Sequence, residues 1–417
     1  MAEFYDGPHA TPAPADDGPV YLGIKNLSES GHLDLSQVRH IAESDFATWT
    51  RRVEPKPGDI VFTYEATLHR YAIIPDGFRG SLGRRIALIR PDESKIDRRY
   101  LHYYLLSSQW RRTIEQRINV GSTVDRIPLM EFPDYPILLP PLPHQRAVVA
   151  ALGAIDDLIQ NNRRRIEMLE EMARLVYGEW FVHFRFPGHE DVELVESDLG
   201  PIPDGWTVAI TADLISAGTL EIGDGYRAKN SEFDGHAYAF VRVKNVGEGY
   251  LNLADVDYLP EPYGETVGGK RGRPGDCVIS MKGTVGRMAF VSERTPPLIY
   301  SPQVSYWRPL KPDRLSSTYL RLWMQSSVFV EQCARVKGAT DMADYVNLRD
   351  QRTMRLVLPS HSVHAAFVVA VSPLLALADN LRSQIGVLES ARHLLLPRLI
   401  SGELDVSDLN LDLEPVA

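Results

Sequence analysis

The sequence predicts an α+β fold, with two globular α/β domains, two long helices that pair as a coiled coil, and an internal repeat. Two stretches carry apolar residues at alternating steps of four and three, and strand-like segments with Pro-Gly turns precede each stretch. Short motifs recur about 220 residues apart. The predicted boundaries are 1–141 and 186–360 for the globular domains, 142–185 for the first helical region, and 361–417 for the second with its tail.

The first helical stretch, residues 142–182, has the a/d pattern of a coiled coil and therefore needs a partner helix. The C-terminal stretch repeats the spacing and is the predicted partner. Asn162 is the polar residue on the first seam, where a buried Asn fixes register, and Arg392 is the polar residue on the second. The residues predicted to pair the helices are Ile155, Ile159, Asn162, Ile166, Leu169, Leu374, Leu381, Ile385 and Leu388. The alternative of two unrelated amphipathic helices in separate cores stays open.

Composition indicates a globular protein that binds a polyanion locally. No stretch approaches the roughly 18 consecutive apolar residues of a membrane span, and no basic start precedes an apolar run. We therefore expect a cytoplasmic protein without membrane contact. Cys277 and Cys333 lie far apart and outside any Cys/His cluster, which predicts neither a disulfide nor a metal site. The net charge is −10, yet residues 70–126 are rich in arginine, which suits directed binding to a polyanion.

Each globular domain is predicted to contain strands and turns followed by a helix. In the first domain we predict strands at 20–27, 59–63 and 85–90, a turn at KPGD (56–59), and a helix at 97–118. A proline-rich strand is predicted over FPDYPILLPPLP (132–143), which leads into the long helix.

The same motifs then recur in the second half of the chain. KNL at 25–27 matches KNV at 244–246, and KPGD at 56–59 matches RPGD at 273–276. The offset stays between 217 and 219 residues from this turn to the seam isoleucines, Ile166 and Ile385. The second copy has a lead-in at 198–216 before its first shared motif, so we expect the first domain to be short at its N-terminus.

The order of these features resembles the specificity subunit of type I restriction-modification systems. The resemblance covers essentially the whole chain and is carried by PPL..Q at the start of the first long helix, EWFVHFRFP after it, GPIPDGW before the second domain, and LLPRLISGEL at the end of the second helix. It implies two target recognition domains that each read one half of a split, asymmetric DNA sequence. It also implies an antiparallel helix pair that acts as a ruler, since about 40 helical residues span roughly 60 Å.

The resemblance further implies a chain with no catalytic site and no cofactor of its own. The expected partners are double-stranded DNA, two methyltransferase subunits and restriction subunits. S-adenosylmethionine, ATP and Mg are expected on those partner subunits.

Residues able to contact DNA are candidates in both domains, because Arg and Lys suit guanine or phosphate, Asn and Gln suit adenine, and Ser and Thr suit phosphate. In the first domain they are Lys25, Asn26, Thr67, His69, Arg70, Arg84, Arg85, Ser122, Thr123 and Arg126. In the second they are Lys244, Asn245, Lys270, Arg271, Arg273, Lys282, Thr284, Arg287, Gln303, Lys337 and Thr340. GGKRGR (268–273) is either a phosphate-contacting loop or a solvated basic hairpin. Asn26 and Asn245 have a second interpretation as turn residues, because base-reading side chains should differ between the halves.

Three other functions are weighed against DNA reading. Asp76, Glu93 and Lys95 have the residue types of a metal-dependent nuclease, but the ESK segment lies in a predicted turn. A methyltransferase is disfavoured because no Gly-rich cofactor loop follows a first strand, and PPL at 140–142 lacks the flanking residues that hold a flipped adenine. A pure assembly scaffold that binds no DNA remains the alternative from a different class.

Overall fold

The computed structural model describes residues 2–118, 124–233, 235–247, 249–282, 285–336, 338–339 and 344–404. It divides the chain into two compact units, of which unit 1 is formed by residues 1–160 and 387–417 and unit 2 by residues 161–386. Each unit therefore combines one globular domain with part of both long helices.

The described residues of unit 1 form two sheets. Its strands are β1 (Ala2–Asp6), β2 (Ala15–Leu22), β3 (Arg39–His40), β4 (Ile60–Thr63), β5 (Tyr71–Ile73), β6 (Gly80–Leu82) and β7 (Ile86–Pro91). Its helices are α1 (Phe46–Trp49), α2 (Arg98–Leu106), α3 (Ser108–Glu115), the first part of α4 (Leu142–Tyr177) and the last part of α10 (His361–Ile400). One sheet has the antiparallel order β1-β7-β4-β5, and the other has the order β3-β2-β6 with β2 parallel to β6.

Unit 2 begins within α4 and ends within the last helix. Its strands are β8 (Leu194–Val195), β9 (Ile202–Pro203), β10 (Thr207–Ile210), β11 (Leu220–Asp224), β12 (Tyr238–Val241), β13 (Tyr258–Leu259), β14 (Cys277–Ser280), β15 (Met288–Phe290), β16 (Leu298–Tyr300), β17 (Val304–Pro309), β18 (Gly338–Ala339), β19 (Asp344–Tyr345) and β20 (Arg355–Leu358). Its helices are α5 (Thr211–Ser216), α6 (Tyr263–Thr266), α7 (Ser317–Gln325), α8 (Ser327–Val336), α9 (Leu348–Gln351) and the first part of α10 (His361–Ile400).

The two units share the topology of their four-stranded and three-stranded sheets. The order β11-β17-β14-β15 repeats β1-β7-β4-β5, and β13-β12-β16 repeats β3-β2-β6 with the same parallel pair. The α+β fold and the internal repeat are thus confirmed. The helices α4 and α10 begin at the first residues of the two predicted helical regions.

The PGD motif forms a structural turn in both units. Gly58 and Gly275 have φ values of 88° and 87°, which favour glycine because a Cβ is strained there. The following aspartate is buried and accepts two hydrogen bonds from an arginine on the long neighbouring strand: Asp59 from Arg90 at 2.8 and 2.7 Å, and Asp276 from Arg308 at 2.7 and 2.7 Å. This aspartate–arginine pair links the turn to an interior strand of the sheet.

The helix predicted at 97–118 is two helices, so that prediction was wrong in detail. Asp97 caps α2 by accepting from the backbone N–H groups of Arg99 and Tyr100. Ser107 has extended backbone angles, and its hydroxyl accepts from Trp110 N–H to begin α3. The apolar periodicity continues across this break, which is why the sequence pattern did not reveal it.

The long helices contact each other within each unit, with antiparallel register. In unit 2, Ile166 packs with Ala378 and Leu381 in a buried cluster that Leu169 and Ile385 flank. Asn162 is 1% exposed and its Nδ2 lies 3.4 Å from Gln384 Oε1. In unit 1, Arg392 Nε lies 2.9 Å from Asp156 Oδ1, so both predicted polar seam residues have partners on the other helix.

The seam at the start of α10 differs from the prediction at one position. Phe367, Val371 and Leu375 are buried in the core of unit 2, whereas Leu374 is only half-buried. The buried face is shifted by one residue because here α10 packs against the globular domain as well as against α4. Of the remaining predicted seam residues, Ile159 is buried and Ile155 and Leu388 are half-buried.

Length and composition alone would allow α10 to cross a membrane, because its most apolar window has a mean hydropathy of 1.7. This corrects the expectation that no stretch approaches a span. One such helix is weak evidence, and 28% of its window is buried within the chain. Asp379 and Arg382 on the same helix form ion pairs with Arg321 and Glu170, and such charges are costly in a bilayer.

The proline-rich strand predicted at 132–143 is not a strand. By the repeat, residues 136–139 correspond to β20, which pairs with β10 of the lead-in segment. Among the described residues of unit 1, no strand pairs with residues 136–139. Without ladder hydrogen bonds to a neighbour, this segment is not a strand.

Candidate nucleic-acid interface

Asn26 and Asn245 are buried and support the scaffold. Asn26 is 5% exposed, accepts from Gly23 N–H at 2.9 Å, and donates to the carbonyls of Asp34 and Gln37 at 2.9 and 3.1 Å. Asn245 is 4% exposed and repeats this pattern with Arg242 N–H and the carbonyls of Asn252 and Asp255. Their amide groups are hydrogen-bonded inside the protein, which favours the second interpretation of both residues as turn residues.

We expect Asn245→Ala to lower the free energy of unfolding of unit 2 by about 3 kcal/mol, because each buried polar group left without its partner costs about 1–3 kcal/mol. Hydrogen exchange of peptides from residues 238–259 would measure the loss. Asn230→Ala, at an exposed position, is the matched control. Equal protection in the two variants would contradict a structural role for Asn245.

A basic cavity of about 280 Å³ lies beside the KNL motif of unit 1. Its lining includes Lys25, Gln37, Arg39, Arg84 and Arg85. Lys25 and Arg84 are exposed, and Arg85 is half-buried. Gln37 and Arg39 were missed by sequence reasoning, because only the pairing of β3 with β2 brings them next to the motif. Four cations and an amide in one concave site are suited to phosphate and base edges.

Three charged side chains meet at one end of the main sheet of unit 1, and we call them the strand-end cluster of unit 1: Glu65, Arg85 and Arg126. Arg85 Nε donates to Glu65 Oε1 at 3.0 Å, and Arg126 Nε lies 4.0 Å from Glu65 Oε2. A β-bridge joins residue 65 to residue 126. The Arg126 guanidinium also lies 5.7 Å from the Tyr64 ring centroid.

The equivalent positions of unit 2 are Lys282, Gln303 and Tyr345, which form its strand-end cluster. A β-bridge joins residue 282 to residue 345, as 65 is joined to 126. The backbone bonds also match: Tyr64 N–H donates to Arg85 C=O at 3.2 Å, and Met281 N–H donates to Gln303 C=O at 2.8 Å. Lys282 and Gln303 are exposed. The two clusters therefore present different chemistry on the same backbone.

The other candidates of unit 1 lie on the loop after β4. Thr67, His69 and Arg70 are half-buried. His69 has a φ of 63°, and burial lowers the pKa of its imidazole. Arg70 donates to Leu27 C=O at 3.2 Å and to Glu29 at 3.3 Å, so it also braces the KNL motif.

In unit 2, two lysines are held by carboxylates and three arginines are exposed. Lys244 Nζ donates to Asp255 at 2.9 Å, and Lys270 Nζ donates to Asp224 at 3.2 Å and to Gly225 C=O at 2.8 Å. The exposed arginines are Arg271, Arg273 and Arg287. In GGKRGR the lysine thus stabilises the loop, while its arginines face solvent. Five candidates lie outside the described residues, namely Ser122, Thr123, Thr284, Lys337 and Thr340.

The nuclease alternative gains no support from the geometry. Glu93 pairs with Arg98 at 3.3 Å and Lys95 pairs with Asp92 at 3.2 Å. Across the described ranges, no group of three or more His, Cys, Asp or Glu residues could hold a metal ion. Cys277 and Cys333 are buried thiols, and burial raises both pKa values.

Comparisons with known proteins show similarity to proteins of one kind. Residues 47–171 match the model of the type I restriction modification DNA specificity domain. The chain is 26% identical over 400 residues to the type I restriction enzyme MjaIX specificity subunit of Methanocaldococcus jannaschii, covering 93% of this chain and 87% of that one. It is 22% identical over 332 residues to the EcoBI specificity subunit of Escherichia coli, covering 73% of this chain and 64% of that one.

A solved structure shares the fold. The S subunit of a type I restriction-modification system from M. genitalium aligns with a TM-score of 0.52 and 12% identity, covering 96% of this chain and 95% of that chain. The predicted resemblance to type I specificity subunits is confirmed.

Proposed function

We propose that this chain, a relative of type I restriction-modification specificity subunits, gives such a complex its DNA sequence specificity, with each unit reading one half of a bipartite asymmetric site. The observation that carries the proposal is the pair of strand-end clusters, which share backbone hydrogen bonds and bridges but differ in every side chain. Scaffold positions such as Asn26 and Asn245 are identical in the two units. Two domains that read different DNA sequences are expected to have identical residues where the fold is stabilised. They are expected to have different residues at the end that contacts DNA.

The cluster chemistries suit different bases. Arg85 and Arg126 are residues that can bond guanine O6 and N7, with Glu65 able to accept from cytosine or to orient the arginines. Gln303 suits adenine N6 and N7, and Lys282 suits guanine or phosphate. In unit 1 the basic cavity beside the KNL motif adds further phosphate contacts. These residues contribute recognition and no bond-making chemistry.

In this proposal the chain is a non-catalytic subunit in the cytoplasm. Double-stranded DNA, two methyltransferase subunits and restriction subunits are its partners. S-adenosylmethionine, ATP and Mg bind to those partner subunits. The methyltransferase modifies the sequence that this chain selects, so the pattern of methylation reports on its specificity.

The test is to express the chain with its methyltransferase and map methylated adenines across a genome. Arg85→Ala should relax base choice in one half of the site, and Gln303→Ala should relax base choice only in the other half. Loss of one bidentate contact costs about 1–3 kcal/mol of discrimination, or roughly 5- to 150-fold. Asn230→Ala is the control, and its methylated sequence should be unchanged.

A pure assembly scaffold predicts a different result. If both variants left the complete methylated sequence unchanged while methylation continued, the specificity would lie in another subunit. Relaxation of both halves by either single variant would contradict the assignment of one half to each unit.

A further inference from the structure

Four charged side chains join three helices of unit 2, and we call them the ion network: Glu170 on α4, Arg321 on α7, and Asp379 and Arg382 on α10. Arg321 is 5% exposed, and its guanidinium donates to Glu170 Oε1 at 2.9 Å and to Asp379 Oδ2 at 3.2 Å. Arg382 pairs with the same two carboxylates, at 2.7 Å from Glu170 Oε1 and 3.1 Å from Asp379 Oδ1. The ion network therefore links the globular domain of unit 2 to both long helices.

The ion network is also connected to the strand-end cluster of unit 2 through the sheet. The guanidinium carbon of Arg321 lies 4.4 Å from the centroid of the Phe290 ring on β15. Phe290 pairs with Cys277 at the start of β14, and β14 ends two residues before Lys282. A displacement of α7 on the long helices is therefore expected to move the strand that carries Lys282.

Side-chain packing between α7 and α10 is loose beside the ion network. A cavity of about 600 Å³ is lined by residues of both helices, and the hydroxyls of Thr318 and Ser372 are 2.7 Å apart at its wall. In unit 1 the counterparts of these two residues are Arg99 and Gly153. There the arginine lies directly against the glycine, since an added Cβ would be 2.8 Å from Arg99 Nη2. Packing therefore restrains α7 less in unit 2, which leaves its position to the ion network.

The ion network is not part of the repeated scaffold. The PGD aspartate and its arginine recur in both units, whereas the counterpart of Arg321 is His102. Unit 1 joins the same three elements at a different place. There Asp156 on α4 accepts from the Tyr103 hydroxyl on α2 at 2.6 Å and lies 2.9 Å from Arg392 Nε on α10. Each domain is thus attached to the long helices by its own set of charges.

Such a network contributes more to geometry than to stability. Replacing a buried ion pair by apolar residues of similar size is often neutral or stabilising, because desolvation of the charges offsets their attraction. Apolar contacts are non-directional, whereas a planar guanidinium bonds carboxylates only in a narrow range of positions. The ion network is therefore suited to fix the position of the domain on its helices.

We propose that Arg321 is a positioning residue, and that the ion network holds the reading domain of unit 2 on α4 and α10 so that one number of base pairs is accepted between the two half-sites. This inference rests on the proposed function. Neighbouring spacer lengths differ by about 3.4 Å along the DNA axis. Hydrogen bonds do not persist through a displacement of that size, so the intact ion network excludes the neighbouring spacers.

The test measures methylation rates of the full chain in complex with its methyltransferase, on synthetic duplexes. One duplex carries the natural site, and two others carry the same half-sites with a spacer one base pair shorter or longer. The variant combines Glu170→Gln, Arg321→Met and Asp379→Asn, which removes the ion network without leaving a carboxylate unpaired. We expect the ratio of the rate on the natural duplex to the rate on an altered duplex to fall at least tenfold.

A milder variant and a matched control accompany this one. Arg321→Lys keeps the charge but loses the planar fork, so the ratio should fall by a smaller factor. Glu171→Gln breaks an exposed ion pair with Arg174 on the same helix, and its ratio should equal that of the natural chain. The ratio is the readout because a defect in folding slows methylation equally on all three duplexes.

Two results would overturn the proposal. The first is an unchanged ratio in the triple variant. The second is loss of methylation on every duplex in both the triple variant and Arg321→Lys, which would make the ion network a requirement for folding. Failure of the proposed function gives a different result, since Arg85→Ala and Gln303→Ala would then leave base choice in both half-sites unchanged, whatever the spacer.

Discussion

Replacing Asp276 with alanine is expected to lower the free energy of unfolding of unit 2 by about 3–5 kcal/mol. Arg308 is 4% exposed and directs two nitrogen atoms at this carboxylate, which also accepts from the Tyr300 hydroxyl at 2.8 Å and from Arg273 N–H at 2.9 Å. Without Asp276, a buried guanidinium loses its main counter-charge, and such a loss typically costs about 3–5 kcal/mol. Hydrogen exchange of β14 and β17 would measure the change.

Asp59 of unit 1 is the counterpart of Asp276 and provides the matched comparison. In Asp59→Ala the partner Arg90 has a side chain that is 26% exposed, so water can solvate it after the carboxylate is removed. The loss in unit 1 should therefore be smaller than the loss in unit 2. A smaller loss for Asp276→Ala than for Asp59→Ala would show that burial of the arginine does not set the cost.

The stability of unit 1 is expected to fall as the pH decreases from about 6.5 towards 4. His102 is 6% exposed, its Nε2 lies 3.3 Å from Tyr71 C=O, and burial lowers its pKa to about 4, with Arg392 and His32 lowering it further. The pKa of His102 in the folded state is below the unfolded value of 6.5, so the unfolded state binds the proton first as the pH falls. The contribution of neutral His102 to stability is therefore fully present above pH 6.5 and is lost below it. The loss approaches roughly 3 kcal/mol at pH 4.

Urea unfolding followed by hydrogen exchange of α2, at pH 7.5 and pH 4.5, would measure this dependence. His102→Gln keeps a side-chain N–H but does not titrate, so its stability should depend less on pH than that of the natural chain. His393→Gln, at an exposed position, is the control and should retain the full dependence. An identical slope in His102→Gln would assign the pH dependence to other groups.

The helical part of the fold was predictable from spacing alone. The spacing of three and four residues places Ile159, Asn162 and Ile166 on one face of the helix, independently of the globular domains. All three residues are buried. The choice between Leu374 and Leu375 was not predictable. That position packs against a domain that the heptad pattern does not encode. The break at Ser107 was hidden for a related reason, because a serine cap and a helical serine look alike in sequence.

The candidate interface was predictable in residue type but not in grouping. Arg85 and Arg126 could be named as cations, but only the bridge between residues 65 and 126 brings both to Glu65. The identical KN pairs suggested recognition, yet the asparagines close loops by bonding backbone carbonyls. The sequence alone does not distinguish an asparagine whose amide closes a loop from an asparagine whose amide bonds adenine.

The strand-end clusters differ from the PGD pairs in what they do for folding. The buried aspartate and arginine hold the sheet from within, while matched backbone bonds set the positions of residues 65, 85 and 126 and of their counterparts. The same backbone bonds thus form with different side chains in the two units. If these ends read DNA as we propose, substitution at a few of their positions changes the binding preference of one unit while the backbone that holds them stays the same. Duplication followed by independent drift of each end is sufficient to diversify such a protein.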